Sequence, residues 1–184
     1  TKSHSSLFTR PKGLPFSSLL EANWKPAVTV KLDGTRCFLL VEKNFTALSF
    51  SGTGSITMTH CYLVAINCDN ISVGTLFDGE LCYDEDLDQY EYFAFDILVY
   101  GDKDIRKKTF LTRLNILNTQ FDTAANVVNS DNLSFKKKTY FIGNNLYSNI
   151  RKAFDDQMTY KYHSDGIIFQ YMGHYLNHST YKWK

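Results

Sequence analysis

The sequence predicts an α+β fold in which a mainly antiparallel set of strands comes first and helices follow. Two observations carry that prediction. From Ala27 to Tyr100 the chain is a succession of short runs rich in β-branched and aromatic residues, separated by Asp-Gly, Lys-Asn and Gly-containing corners. After Gly101 the apolar residues recur at three and four positions, the spacing of a helix.

The elements follow in order. Residues 1–26 hold all three prolines, Pro11, Pro15 and Pro26, and read as an N-terminal arm with one short serine-capped helix from Ser17 to Ala22. Residues 27–184 read as one domain. Ala27 to Lys31 and Arg36 to Glu42 flank an Asp33-Gly34 turn. Lys43-Asn44 then turns into Phe45 to Phe50 as a hairpin, and Ser51 to Gly54 is a corner. Thr57 to Ile66, Thr75 to Cys82 and Tyr90 to Tyr100 continue as strands. Leu111, Leu114, Leu117 and Phe121 mark a first long helix, and Asn129 to Asn132 a polar loop. Tyr140 to Ile142 is a short strand. Leu146, Ile150, Ala153, Phe154 and Met158 mark a second helix, with Asn144 or Asn145 as its cap. Gly166 to Tyr171 and Thr180 to Lys184 return to strands.

Composition sets the bounds. The 184 residues suffice for one domain with a sizeable core. A net charge of +1 excludes a globally basic nucleic-acid binder but leaves room for a local basic groove. No apolar run approaches the ~20 residues of a membrane span, and no signal peptide is visible. The chain opens on Thr1, which reads as part of something longer. Cys37, Cys61, Cys68 and Cys82 form no Cys-x-x-Cys pair and read as free thiols of an intracellular, reducing compartment. His174 and His178 stand four apart, but Gly173 and Asn177 argue against the helix a histidine metal site would need there.

Five stretches could carry chemistry. Lys31-Leu32-Asp33-Gly34-Thr35-Arg36 offers an amine nucleophile, a tight turn that exposes it, and a cation two residues past the glycine. A free lysine has a pKa near ~10.4 and becomes a nucleophile when that value falls. Arg36, Lys182 and Lys184 are cations that would lower it. A strand-end lysine beside a type I′ turn has the same sequence. In Phe77-Asp78-Gly79-Glu80 the two carboxylates alternate, so they face one ligand or one hard cation, Mg²⁺ or Mn²⁺, unless the stretch is only a polar turn. Asp84, Glu85, Asp86 and Asp88 read as a solvated loop. Phe93 and Phe95 in Tyr92-Phe93-Ala94-Phe95-Asp96 share a face that could stack on a nucleobase or fill a core, the core reading being stronger for Phe93. Ser164-Asp165-Gly166 leads into the apolar Ile167-Ile168-Phe169. Tyr181-Lys182-Trp183-Lys184 closes the chain as a lysine fork for a phosphate, with Trp183 turned into the core.

In this order the five motifs resemble those of the covalent nucleotidyltransferase superfamily, which holds mRNA capping guanylyltransferases and ATP- or NAD-dependent polynucleotide ligases. They span Lys31 to Lys184. Asp165-Gly166, where ligases carry Glu-Gly, and Lys182-Trp183-Lys184 are nearer to capping enzymes; Phe93 to Asp96 does not discriminate. The resemblance implies antiparallel sheets flanked by helices, with the nucleotide pocket between them. It implies that Lys31 attacks the α-phosphorus of GTP and holds GMP through a P–N bond. Asp33 and Gly34 would shape the turn, Arg36 would bond the ribose hydroxyls, and Phe95 would stack on guanine. Glu80 would meet the ribose or a metal-bound water. Asp165, with Gly166 beside it, would help place Mg²⁺ or Mn²⁺, and Lys182 and Lys184 would bind the α-phosphate. GMP would then pass to a 5′-diphosphate RNA end, which would approach along Lys103, Arg106, Lys107, Lys108 and Lys136 to Lys138.

The family's sixth motif lies in a C-terminal OB-fold domain that is absent from this sequence, so weak nucleotide binding and slow self-nucleotidylation are expected of these residues alone. Triphosphatase and methyltransferase domains are common companions in viral capping enzymes. The Asn- and Tyr-rich composition suits a large DNA virus, which would place the protein in host cytoplasm or virion, and otherwise in the nucleus. Two other readings stand beside the capping one: the adenylation domain of an ATP-dependent DNA or RNA ligase, and a nucleotidyltransferase-like module that binds without catalysis.

Overall fold

A computed structural model describes residues 11–19, 21, 23–41, 46–51, 58–64, 71–123, 133–176 and 180–184. The expected turn at Lys43-Asn44, the corner at 52–54, the loop at 129–132, Cys68 and His178 lie outside them.

Two sheets form the frame. The smaller has the order β1 (Lys12–Gly13), β11 (Tyr181–Trp183), β10 (Ser164–Gln170), β2 (Ala27–Leu32). The larger runs β5 (Met58–Val64), β4 (Thr46–Ser51), β3 (Thr35–Val41), β6 (Thr75–Asp84), β7 (Gln89–Tyr100), β8 (Lys103–Asp104), with β9 (Leu133–Lys137) also on β7. Among the described residues the strand pairs are antiparallel except β1 with β11 and β7 with β9. The α+β expectation therefore holds, with the two parallel additions unforeseen. The proline-rich arm joins the small sheet through its described residues. Its Lys12 and Leu14 amides donate to the carbonyls of Thr180 and Lys182, making β1 an edge strand of the small sheet. The arm's helix, α1, spans Phe16–Leu19.

Hydrophobic pattern decides which faces meet. β2 is buried along almost its whole length, as a strand covered on both sides must be. One face of the small sheet takes Val28, Ile167 and Phe169 against Ala153 of α3 (Leu146–Gln157). Val30 and Leu32 pack across to Cys82 and Phe93 of the large sheet. On the far face of the large sheet, Leu39, Phe77 and Ile97 meet Leu117 and Phe121 of α2 (Phe110–Thr123). That helix buries Phe110, Leu114, Leu117 and Phe121, whereas Leu111, expected in the stripe, is exposed. α3 is capped by Asn145, whose side-chain oxygen accepts from the Ser148 amide at 3.0 Å.

Three further expectations need correction. Tyr140 to Ile142 is not a strand; it contributes a single bridge, Phe141 to Val28. Phe154 and Met158 of α3 are exposed, because the helix rests on the sheet through Ala153 and its neighbours Leu146 and Ile150. Trp183 is 44% exposed and touches Phe154 edge-on instead of entering the core. It lies on a three-residue strand near the sheet's edge, beside Phe154 of α3.

Candidate active site

The Lys31–Arg36 stretch is where the chain changes sheets. β2 pairs with β10 and β3 with β4 and β6, so Asp33-Gly34 is a crossing between sheets and not a hairpin turn. The Asp33 amide donates to the His163 carbonyl at 2.9 Å, fixing the corner. Gly34 is required by crowding: a Cβ there would stand 2.7 Å from the Leu81 carbonyl oxygen of β6. The crossing leaves Lys31 on one wall and Arg36 on the other of a cavity of about 350 Å³ between the sheets.

The small sheet supplies Thr29, Lys31, Ile168 and Lys182, and the large sheet Arg36, Asp78, Glu80 and Phe95. Asp33, Gly34, Asp165, Gly166 and Lys184 do not line the cavity; the first two act through the corner, the others from behind Lys31. Phe93 is buried between the sheets, while Phe95 faces the cavity. A β-bulge explains the difference. Gly79 pairs with Ala94 and Asp78 with Asp96, which leaves Phe95 as the extra residue of β7. Its displaced carbonyl accepts from the Tyr140 hydroxyl at 3.1 Å.

Charge is paired tightly behind the ring. Arg36 Nε donates to Asp78 Oδ1 at 2.9 Å, and Asp78 is fully buried. Burial works against the Arg36 cation, but Asp78 and Tyr175 outweigh it and hold its pKa above the usual value. Lys138, 5% exposed, donates to Glu80 Oε2 at 3.0 Å and to the Val30 carbonyl at 3.1 Å. The Arg36 guanidinium and the Lys138 ammonium stand 5.7 and 5.9 Å from the Phe95 ring centre. Deeper still, Arg113 makes a two-pronged bond to Asp96 at 2.8 and 2.9 Å. Thr29 presents a buried hydroxyl oxygen that has no hydrogen-bond partner among the described residues.

The immediate partner of Lys31 is a carboxylate. Its Nζ lies 2.6 Å from Asp165 Oδ1, and Lys184 bonds the other oxygen of the same carboxylate. Arg36 is held by Asp78 instead. Cys37 and Cys82 are not rival nucleophiles. Burial, with Glu80 also contributing, pushes the Cys82 thiol up to about 12, and burial with Asp78 pushes Cys37 higher still. Of the expected metal ligands, Asp165 adjoins Lys31 and Glu80 is bonded to Lys138. Among the described residues no group of three acidic, histidine or cysteine side chains could enclose an ion. One or two carboxylates nevertheless suit Mg²⁺, which takes its remaining ligands from water and substrate phosphates.

The family model for the mRNA capping enzyme catalytic domain matches residues 16–184. The chain belongs to that family. Solved structures of similar fold include a Chlorella virus DNA ligase-adenylate, at TM-score 0.59 and 13% identity, covering 96% of this chain and 69% of that one. A Lig E DNA ligase matches at TM-score 0.55 and 15% identity, covering 96% and 68%. No curated protein matches. Nucleotidyltransferase-superfamily membership is thus established, and no helix among the described residues is long and apolar enough to cross a membrane.

Two expectations for this capping-family domain follow from its lysine-bearing strands. Gly166 has φ +137°, and a Cβ there would fall 1.9 Å from the Trp183 carbonyl oxygen, between Lys182 and Lys184. Gly166→Ala is therefore expected to lower stability by about 3 kcal/mol in denaturant unfolding, with β11 displaced. Burial opposes ionisation of Asp165, but Lys184 and Lys31 prevail and hold its carboxyl below the ordinary range. A depressed acid contributes stability above its unfolded value near ~3.9, and that contribution vanishes as pH falls through the folded value. Asp165→Asn is accordingly expected to flatten the acid limb of the stability curve below about pH 4, measured by thermal unfolding from pH 2 to 7. An unchanged limb would refute the assignment.

Several cavity residues were not expected there, Lys138, Thr29 and Tyr175 among them. Lys138 was grouped with Lys136 as part of a basic rim, but it is buried beside Glu80, while Lys136 pairs with Glu91 and Arg106 with Asp104. Lys103, Lys107 and Lys108 remain exposed. Thr29 could have been found, since it stands two positions before Lys31 on the same strand face. Tyr175 follows a Gly-His pair in an irregular segment and carries no local signal.

Proposed function

We propose that the domain is a GTP–RNA guanylyltransferase. The reading is carried by one observation: Lys31, Phe95 and Lys138 share a single cavity between the sheets. Its volume suits a small-molecule ligand. The neutral Lys31 Nζ attacks the α-phosphorus of GTP. A P–N bond forms, the α–β phosphoanhydride breaks, pyrophosphate leaves with the bonding electrons, and the proton from Nζ passes to solvent. A terminal phosphate oxygen of 5′-diphosphate RNA then displaces lysine, which regains a proton. Lys182 meets the charge on the α-phosphate, with Lys184 behind Lys31. Arg36 bonds the ribose hydroxyls, and Phe95 stacks on the base.

Lys138 favours guanine over adenine. Its ammonium is donor-only, and two of its three donors are used by described partners. A donor suits the O6 acceptor of guanine, whereas adenine presents an amino group at position 6; the N7 acceptor is common to both bases. Asp165 and, through water, Glu80 would hold Mg²⁺ or Mn²⁺, which when bound supplies positive charge to the phosphates. RNA approaches over Lys103, Lys107 and Lys108.

Incubation with α-³²P-labelled GTP and ATP in separate reactions, followed by denaturing electrophoresis, tests the reading. Labelling from GTP is expected. Labelling from ATP alone would replace it with the ligase adenylation reading, to which the ligase-adenylate neighbours lend their fold.

A further inference from the structure

We infer that Tyr175 is a positioning residue for Arg36: its hydroxyl closes a three-way hydrogen-bonded ring with Arg36 and Asp78 that orients the guanidinium toward the sugar of the bound nucleotide. The inference rests on the nucleotide reading of the cavity, and it adds a residue that the five motifs do not contain.

The geometry is closed on all sides. Arg36 Nη2 donates to the Tyr175 hydroxyl oxygen at 2.9 Å, and that hydroxyl donates to Asp78 Oδ2. Asp78 in turn accepts both Nε and Nη2 of Arg36. A phenol has one proton to give and lone pairs to receive, so it fits between a cation and an anion without leaving either unmatched. Burial, with Asp78 adjacent, raises the Tyr175 pKa well above its ordinary value and keeps that proton in place. Tyr175 is 4% exposed yet borders the cavity.

The residue is itself held rigidly. Its amide donates to the Arg106 carbonyl at 2.9 Å, and the Met172 carbonyl accepts from the first amide of α2 at 2.9 Å. Arg113 donates to the Gly173 carbonyl at 3.2 Å and stands 5.6 Å from the Tyr175 ring centre. Arg36 would keep Asp78 without Tyr175; the phenol adds a further contact that restrains rotation of the guanidinium about the carboxylate, and fixed donors bind better than mobile ones.

The test compares dissociation constants of the full chain for a ribonucleoside triphosphate and its 2′,3′-dideoxy analogue by titration calorimetry. It uses whichever of GTP or ATP the protein binds. Binding needs no covalent step, so a wrong assignment of base or of chemistry leaves the readout intact. In Tyr175→Phe the preference for the ribonucleotide is expected to fall about tenfold, while affinity for the dideoxy analogue is unchanged. In an Arg36→Ala background the same change is expected to alter the preference by less than about twofold, because the two act as one unit. Equal loss toward both nucleotides, an unchanged preference, or a full effect without Arg36 would each overturn the inference. If Tyr175→Phe shows no cooperative thermal transition, Tyr175→His carries the same comparison under the same criteria.

Discussion

Replacing Lys31 with alanine is expected to reduce covalent labelling by at least about 10³-fold, to the background of the assay. The cavity contains other amines, but none is equivalent. Lys138 is committed to Glu80 and the Val30 carbonyl, and Lys182 is assigned to the charge on the α-phosphate; Lys184, outside the lining, is bonded to Asp165. Lys31→Arg is expected to fail as completely, since a guanidinium remains protonated and cannot attack phosphorus. Both variants should unfold at nearly the wild-type temperature, because Lys31 sits at the cavity wall and not in a hydrophobic cluster. Persistent labelling in Lys31→Ala would remove every enzymatic reading that runs through this residue.

The largest expected loss of stability lies elsewhere, at Arg113. This side chain is wholly buried, bonded twice to Asp96, and also donates to the Lys108 and Gly173 carbonyls. Removing one partner of such a pair leaves a charge without solvent or counter-charge, at a cost of about 3–5 kcal/mol. For a domain of this size that corresponds to a fall in unfolding midpoint on the order of 10 °C. Arg113→Met is the variant to measure by calorimetry. Combining it with Asp96→Asn should recover part of the loss, because no full charge is then stranded. If Arg113→Met unfolds at the wild-type temperature, the pair does not sustain the fold.

Residues that advertise themselves by local pattern were legible in advance. Asp33-Gly34, Asp78-Gly79-Glu80 and Lys182-Trp183-Lys184 each bring chemistry and a backbone constraint within a few positions, and their order along the chain named the superfamily. What stayed hidden depends on distant partners. Lys136, Lys137 and Lys138 look alike in sequence, yet only Lys138 is in the interior, because it leaves β9 beside the bulge at Phe95. The parallel pairing of β9 with β7 joins segments some forty residues apart, with no turn to announce it. Trp183 was misplaced because alternation along a strand shows which side a residue takes but not whether anything covers that side. Tyr175 was invisible for a similar reason: its partners, Arg36 and Asp78, lie 139 and 97 positions earlier.

The crossing at Asp33-Gly34 also limits how the two sheets can part. Lys31 belongs to one sheet and Arg36 to the other, and the tether between them is four residues, or five Cα-to-Cα steps. Even drawn out fully, it spans at most about 17 Å. However widely the cleft breathes, the nucleophile and the arginine cannot lose each other, so a ligand that reaches one is already within range of the second. Their encounter is therefore a matter of local concentration fixed by chain length. Severing the peptide at this one corner would turn a single binding event into two.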